Sequence, residues 1–155
     1  MEPRMKSPVL TLPGTLEAIL SLNKATEEAG VPRATLELVH MRVGQINGCA
    51  VCVDMHARAF KRLGESDARS WSLTVWREAP YYTEAERAAL ALAESATRMC
   101  DRTNAVPDDV WKEASRHFNE TQLAALVMAI GVANLFNRLN ATTRQISGEW
   151  VEKYV

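Results

Sequence analysis

The sequence predicts two helices joined by a tight turn at residues 32–64, which read PRATLELVHMRVGQINGCAVCVDMHARAFKRLG. The first half repeats apolar residues every three or four positions, as one face of a helix requires, at Leu36, Val39, Val43 and Ile46. Pro32 suits the first turn of a helix, and Asn47-Gly48 interrupts the repeat. The second helix is expected to run from about Cys49 to Gly64, because glycine readily adopts the left-handed conformation that ends helices.

Helical patterns extend on both sides of this hairpin. Gly30 closes a helix before it, Ser66 can cap one after it, and the Ala79-Pro80 step should end that helix. Thr83 and Glu86 have the spacing of a capping box, in which each side chain bonds the backbone N–H of the other residue. The further helices are predicted at about 15–29, 66–79, 83–100, 107–118 and 121–140, whereas residues 1–13 are proline-rich and show no period.

The composition agrees with a helical domain. The chain has 155 residues, of which 47% are hydrophobic and 24% are charged, with only 7 glycines and 6 prolines. A chain of this size can bury one sizeable core, and no long linker or low-complexity tract divides it. We therefore expect a single all-α domain over residues 1–155, with about six to seven helices. The last helix is apolar on nearly every face between Leu123 and Leu139, so it should be central or lie in an oligomer interface.

Charge and hydropathy exclude two classes of partner. The formal net charge is −1, from 18 basic and 19 acidic residues, so no single-sign field attracts nucleic acid or anionic lipid. The longest apolar run, 123–133, is 11 residues, which is shorter than a membrane-crossing helix needs. The first residues carry Glu2, Arg4 and Lys6 and lack the apolar core of a secretory signal. We expect a cytoplasmic protein with no nucleic-acid or membrane partner.

Cys49, Cys52 and His56 form the cluster that carries chemistry. Spacings of three and four residues on a helix place all three along one stripe. A thiol in the first turn feels the partial positive charge of unpaired N–H groups, which lowers its pKa and favours the nucleophilic thiolate. The chain has 3 cysteines, an odd number that does not indicate a disulfide framework. In a reducing compartment the pair indicates redox or metal chemistry.

Glu37 is the carboxylate expected to serve this cluster. In an antiparallel hairpin, a residue about ten positions before the Asn47-Gly48 break lies about 15 Å back from the turn, roughly level with residues 56–60. The expected partner of Glu37 is therefore His56. A carboxylate that holds an imidazole, which in turn serves a thiol, is the arrangement of activated cysteine enzymes.

A cysteine pair permits a specific reaction with peroxides. A thiolate attacks the O–O bond, becomes a sulfenic acid and condenses with the second thiol to a disulfide. The spacing does not decide which thiol attacks, because Cys49 is nearer the helix end whereas Cys52 has the direct helical spacing to His56. A buried structural pair and a zinc site are the alternatives, although closed zinc sites usually need a fourth ligand. Val53 after Cys52 excludes the covalent haem motif, and no strand pattern of a thioredoxin fold surrounds the pair.

The remaining side chains capable of chemistry are expected to be structural. His40 lies one turn after Glu37 and could join the site, but we expect it to be an exposed helix residue. His117 should lie at a helix end, where a positive imidazole suits the helix dipole, and Cys100 should be an inert thiol. Four aromatic residues are expected in the core or in subunit contacts rather than in a substrate pocket: Trp71, Trp76, Tyr81 and Tyr82.

The pattern of Glu37, Cys49, Cys52 and His56 resembles the core of the alkylhydroperoxidase D family, within the wider carboxymuconolactone decarboxylase-like superfamily. The flanking phrases typical of its single-core-domain members are QINGC at 45–49, DMH at 54–56 and WREAP at 76–80. The resemblance covers about residues 33–98, and residues 134–140 resemble the last helix of these proteins more weakly.

The resemblance implies an all-helical fold, a homo-oligomer of three or six subunits, and reduction of hydroperoxides through a cysteine disulfide. By this analogy Cys52 forms the sulfenic acid, Cys49 donates a proton and resolves the disulfide, and Glu37 and His56 form the proton relay. Val51 stands where the family's best-known members carry a histidine, which implies a shorter relay. The implied electron donor is a dihydrolipoyl protein or a thioredoxin-like dithiol, and no metal or organic cofactor is expected.

Two other functions remain as alternatives. A lactone decarboxylase of the wider superfamily resembles this branch in fold, but its chemistry does not rely on a pair such as Cys49 and Cys52. A non-catalytic redox sensor or metal-binding subunit would instead use the thiols to change its assembly or to hold an ion.

Overall fold

The computed structural model describes residues 2–148, and all regular secondary structure in this range is helical. A 3-10 turn, Ser72–Val75, directly follows α5. The eight α-helices are α1 Pro8–Thr11, α2 Thr15–Glu28, α3 Arg33–Asn47, α4 Ala50–Arg62, α5 Asp67–Trp71, α6 Glu84–Thr97, α7 Asp108–His117 and α8 Glu120–Thr143. The all-α prediction is confirmed for the described range. Met1 and residues 149–155 of the expected domain lie outside it.

Most helix ends follow the predicted signals. Gly48 ends α3 in the left-handed conformation, with φ of 68°. Thr83 and Glu86 form the predicted capping box of α6, because each side chain bonds the backbone N–H of the other residue. A second capping box, between Asn119 and Gln122, starts α8 one residue before the predicted position.

Two helices differ from the prediction. The proline-rich start contains the single-turn helix α1, which begins at Pro8. The first residue of a helix needs no backbone N–H, because that group has no acceptor within the helix, so proline fits there. The helix predicted to reach residue 79 ends at Trp71, so that prediction is wrong. There the Ser72 hydroxyl bonds the carbonyl of Ala68, and the Tyr82 hydroxyl donates to the carbonyl of Arg69. Side-chain bonds of this kind compete with the regular helix ladder, which gives way to the 3-10 turn.

The helix α3 lies between the two larger parts of the core. One face packs Leu36, Val39 and Val43 into a cluster with residues of α6, α7 and α8. The opposite face packs Leu38 and Met41 against residues of α4, the 3-10 turn and α6. A helix apolar on both faces is expected at the centre of a helical domain.

The helix α8 is long and apolar enough to cross a membrane by length and composition. In the fold it packs against α2, α3, α4, α6 and α7, with Leu126 and Ala129 fully buried. We therefore interpret it as the core helix, which agrees with the central position predicted from its sequence. Its outer face leaves Val127, Met128 and Leu135 exposed.

The α3–α4 hairpin is unusually close at Gly44. A Cβ atom at this position would lie 3.1 Å from the Val53 Cγ2 atom and 3.4 Å from the Cys52 Cβ atom. Glycine therefore permits the first turn of α4, which carries the cysteines, to lie directly against α3.

A buried carboxylate ties α3 to α6. Glu94 accepts hydrogen bonds from Arg42 at 2.7 Å, Arg77 at 2.7 Å and the Trp76 indole at 3.0 Å. Burial alone would raise the pKa of Glu94, but these donors dominate and lower it to about 2. The ionised Glu94 thus joins the region after the 3-10 turn to both central helices.

Candidate active site

Cys49 and Cys52 are joined in a disulfide at the start of α4, and each is 2% exposed. Cys49 is the N-cap residue, and its Sγ atom accepts a hydrogen bond from the backbone N–H of Cys52 at 3.3 Å. The Cα atoms are 5.4 Å apart, within the range that a disulfide spans. Because the regular helix begins at Ala50, the two sulfurs bond without unwinding its first turn.

The surroundings of the cysteines are mostly apolar. Val51, Met55 and Phe136 pack around the pair. One polar side chain reaches the sulfurs from α8: the Asn140 Nδ2 atom lies 3.5 Å from Cys52 Sγ and 3.9 Å from Cys49 Sγ. This contact was not predicted, because it joins residues 88 and 91 positions apart and no local pattern in the sequence marks it.

The structure brings Glu37 and His56 together. The Nδ1 atom of His56 lies 2.6 Å from the Oε2 atom of Glu37, and His56 is one turn after Cys52 on the same helix. The second oxygen, Oε1, accepts from the Arg33 Nε atom at 2.7 Å. Glu37 therefore bonds the imidazole with one oxygen and a guanidinium with the other.

Glu37 is a charged group inside the protein, with its side chain 0% exposed. Burial alone would raise the pKa of this carboxyl. The hydrogen bond and charge of His56, together with His40 and Arg33, outweigh burial and hold the pKa below its ordinary value. Glu37 is therefore a carboxylate at neutral pH. It can orient His56 by accepting a hydrogen bond from the N–H of the imidazole.

His40 belongs to this cluster, and the expectation of an exposed helix residue is wrong. Its ring lies 4.4 Å from the His56 ring, centroid to centroid, because this face of α3 is covered by α4. Its Nδ1 atom is buried and has no hydrogen-bond partner among the described residues. Burial, reinforced by repulsion from His56, lowers the pKa of His40 to about 3, so the ring is neutral at physiological pH.

Glu37, His40 and His56 also have ligand atoms within 4.8 Å of one another, so they are the residues that could hold a metal ion in the described part of the chain. A carboxylate and two imidazoles are suitable ligands for zinc or iron. Both oxygens of Glu37, however, already have protein partners. The other zinc site considered, with both cysteines and His56 as ligands, lacks its thiolate ligands while Cys49 and Cys52 form a disulfide.

An amide cluster holds the turn before the cysteines against α8. The Asn47 Nδ2 atom donates to Asn134 Oδ1 at 3.0 Å and to Asn137 Oδ1 at 2.9 Å. Asn137 is 1% exposed, so the second bond satisfies a side-chain oxygen that water does not reach. The turn that presents Cys49 is thereby fixed to the same helix that carries Asn140.

The other candidate residues lie outside this cluster. Cys100 is exposed, and His117 lies 3.2 Å from Glu113 at the end of α7. Trp76 and Tyr82 are buried in the core that contains Leu38 and Phe60, whereas the cysteines form a separate cluster. Trp71 and Tyr81 are exposed.

Comparisons with known proteins identify the same family. The model of the carboxymuconolactone decarboxylase family matches residues 13–95. The uncharacterized protein YdfG of Bacillus subtilis is 34% identical over 128 residues, which are 83% of this chain and 86% of that protein. The alkyl hydroperoxide reductase AhpD of a Bradyrhizobium species is 43% identical over 54 residues, which are 35% of this chain and 29% of that protein.

Solved structures share the fold. A protein of unknown function from Agrobacterium tumefaciens, a candidate antioxidant defence protein AhpD, has a TM-score of 0.87 and 31% identity over 96% of this chain and 99% of its own. The debrominase Bmp8 has a TM-score of 0.76 and 20% identity over 91% of this chain and 75% of its own, which shows the fold alone. With the family model matching more than half of its length, the chain belongs to the carboxymuconolactone decarboxylase family and is AhpD-like within it.

Proposed function

We propose that this protein is an oxidoreductase that reduces hydroperoxides through a cycle between the Cys49–Cys52 dithiol and its disulfide. The observation that carries the proposal is the closed pair on the same helix as His56, whose imidazole is held by the buried carboxylate of Glu37. The fold alone does not carry it, because one fold supports several chemistries and Bmp8 shares this one.

The cycle begins with the Cys52 thiolate, as the resemblance to the alkylhydroperoxidase D family implies. Its sulfur attacks one peroxide oxygen, so the O–O bond breaks, an S–O bond forms and the second oxygen leaves with a proton as alcohol or water. His56 is the group proposed to pass that proton, and the contact of its Nδ1 atom with Glu37, which fixes the orientation of the ring, supports this role. The proposed products of this step are a Cys52 sulfenic acid and the reduced peroxide.

The second step closes the disulfide. The Cys49 sulfur attacks the Cys52 sulfur, the S–O bond breaks, and the hydroxyl leaves with the Cys49 proton as water. Both cysteines lie at the same helix start, so the second thiol is already beside the first. A donor dithiol then reduces the disulfide by exchange and becomes a disulfide itself.

The partners follow from this chemistry. The substrate is a small hydroperoxide, and the donor is a dihydrolipoyl or thioredoxin-like dithiol in the reducing cytoplasm. We propose a homo-oligomer as the working form, without a metal or organic cofactor in the cycle.

The test compares hydroperoxide consumption in the presence of a dithiol reductant. Wild-type protein should consume peroxide, and Cys52→Ser should lose this activity because the attacking thiolate is gone. The matched control is Cys100→Ser, which removes an exposed thiol and should leave the rate unchanged. Peroxide consumption by Cys52→Ser at the wild-type rate would contradict the proposed cycle.

The order of the two cysteines has its own measurement. Cys49→Ser should retain the first step and accumulate a sulfenic acid on Cys52, which a sulfenate-trapping reagent labels and mass spectrometry locates. Labelling of Cys49 in the Cys52→Ser protein, with none on Cys52 in the Cys49→Ser protein, would reverse the assignment.

A further inference from the structure

The two sulfurs of the pair have different hydrogen-bond donors. Cys49 Sγ accepts the N–H of Cys52 at the helix start, at 3.3 Å. Cys52 Sγ is approached by the side-chain amide of Asn140 at 3.5 Å, closer than the same amide is to Cys49 Sγ, at 3.9 Å. Among the described residues, the backbone bond therefore goes to Cys49, whereas the Asn140 amide reaches both sulfurs and lies nearer to Cys52.

The orientation of the amide follows from the acceptor. A disulfide sulfur or a thiolate cannot donate a hydrogen bond, so only the NH2 end of Asn140 has a favourable interaction with it. Val51, Met55 and Phe136 pack around the pair as apolar groups, and the hydrogen bond seen at Cys52 Sγ comes from Asn140. A thiolate at Cys52 thus depends on Asn140 for a side-chain donor in surroundings where an unpaired charge is costly.

We propose that Asn140 is a further catalytic residue, whose side-chain amide donates a hydrogen bond to Cys52 Sγ and stabilises the thiolate that attacks the peroxide. The proposal rests on the proposed function, since it assigns the donor for that function's nucleophile. The bond is weak while the disulfide is closed and strengthens on reduction, because hydrogen bonds to charged acceptors are roughly twice as strong as neutral ones. Asn140 therefore favours the reduced, reactive state.

The first experiment titrates the Cys52 thiol alone. In full-length protein with Cys49→Ser and Cys100→Ser, Cys52 is the single cysteine of the chain's 3 that remains. Adding Asn140→Ala should raise the pKa of Cys52 by about one unit, the size expected for a lost hydrogen bond to a charged group. The pH dependence of thiolate absorbance and of alkylation rate measures this shift. An unchanged pKa overturns the proposal.

A second variant guards against a folding defect. Asn140→Asp keeps the shape of the side chain but replaces the donor with a carboxylate, so it should raise the pKa of Cys52 further than Asn140→Ala does. Thr142→Ala changes an exposed residue two positions along α8 and is the control that should titrate like the parent protein. A pKa lowered by Asn140→Asp would also overturn the proposal, and far-UV circular dichroism checks that each variant is helical.

The third measurement separates this proposal from the peroxidase function. With both cysteines present, Asn140→Ala should lower the reduction potential of the pair, because the reduced state loses its donor. A tenfold change in the exchange equilibrium with a reference dithiol corresponds to about 30 mV. If wild-type protein consumes no peroxide while Asn140→Ala still shifts pKa and potential, the peroxidase function fails and the donor role stands. If peroxide is consumed but neither quantity moves, only the role of Asn140 is wrong.

Discussion

Glu37 is a buried carboxylate that contacts the His56 imidazole. The carboxylate has no solvent contact, yet Arg33 and His56 keep it ionised by bonding one oxygen each. The buried carboxylate stabilises the orientation of its imidazole partner, because moving the imidazole would leave a buried carboxylate oxygen without its hydrogen-bond partner. The position of Glu37 follows from its spacing in the hairpin, whereas the division of its two oxygens depends on the packed side chains.

His40 should make the protein sensitive to mild acid. The pKa of His40 is about 3 in the folded protein, against an ordinary value of 6.5. Between pH 6.5 and pH 3, His40 therefore binds a proton in the unfolded chain but not in the folded one. The stability that neutral His40 permits is thus present above pH 6.5 and is lost as pH falls toward 3. The slope from one such group is at most about 1.4 kcal/mol per pH unit.

We predict that His40→Gln flattens this dependence. Urea unfolding of the variant between pH 7 and pH 5 should show a smaller loss of stability than wild type, because its side chain takes up no proton. The control is Thr142→Ala, which changes an exposed residue of α8 without a titratable side chain and should retain the wild-type slope. An unchanged slope in His40→Gln would show that His40 is protonated equally in both states.

Glu94 connects three parts of the chain through hydrogen bonds. Its carboxylate on α6 meets Arg42 of α3 and the Trp76 and Arg77 donors that follow the 3-10 turn. The segment at residues 76–77 contains no regular helix, so these bonds replace the backbone ladder as its attachment to the core. The helix predicted to reach residue 79 ends before this segment, and the side-chain bonds to Glu94 hold the segment in place.

We predict that Glu94→Gln lowers the free energy of unfolding by about 3 kcal/mol, since a depression of the pKa from 4.5 to about 2 has that order of magnitude. This contribution is present above pH 4.5 and is lost as pH falls toward 2. Chemical denaturation at pH 7 measures the change. Glu84→Gln, on the same helix but 80% exposed, should stay within about 0.5 kcal/mol of wild type. Equal effects in the two variants would contradict the role given to Glu94.

The outer face of α8 exposes apolar side chains to solvent. Val127 is 46% exposed, Met128 45% and Leu135 40%, and Trp111 of α7, 43% exposed, adjoins Val127 and Met128. The three α8 residues lie along one side of a helix whose other sides pack against the rest of the fold. We propose this face as an interface of the homo-oligomer that the family resemblance implies, because exposed apolar patches often form subunit contacts.

We predict that the protein in solution has three or six times the chain mass of 17.2 kDa. Val127→Glu should reduce the mass toward that of one chain, because a carboxylate cannot be buried unpaired in an apolar interface. Light scattering coupled to size exclusion measures the mass. Lys24→Glu introduces the same acidic side chain at an exposed position of α2 and should leave the assembly intact. A single-chain mass for wild type would contradict the predicted oligomer.

Local pattern accounts for much of the architecture. The apolar repeat of α3, the glycine that follows it and the capping box of α6 are properties of neighbouring residues, and the structure has each of them near its predicted place. The helix-start position of the cysteine pair also follows from local pattern, because the Asn47-Gly48 break ends one helix directly before Cys49. The placement of Glu37 level with His56 needs only the rise per residue and the reversal of the chain.

Packing determined the rest. The burial of His40 depends on α4 covering its face, and the contact of Asn140 with the sulfurs depends on α8 returning across the hairpin 88 residues later. Contacts at such separations leave no periodic trace in the sequence, since each depends on how whole helices pack. The chain's own pattern therefore specified most of its helices and brought the thiols, the imidazole and the carboxylate to one hairpin. Only the packing of whole helices decided which groups surround each sulfur and that His40 is neutral.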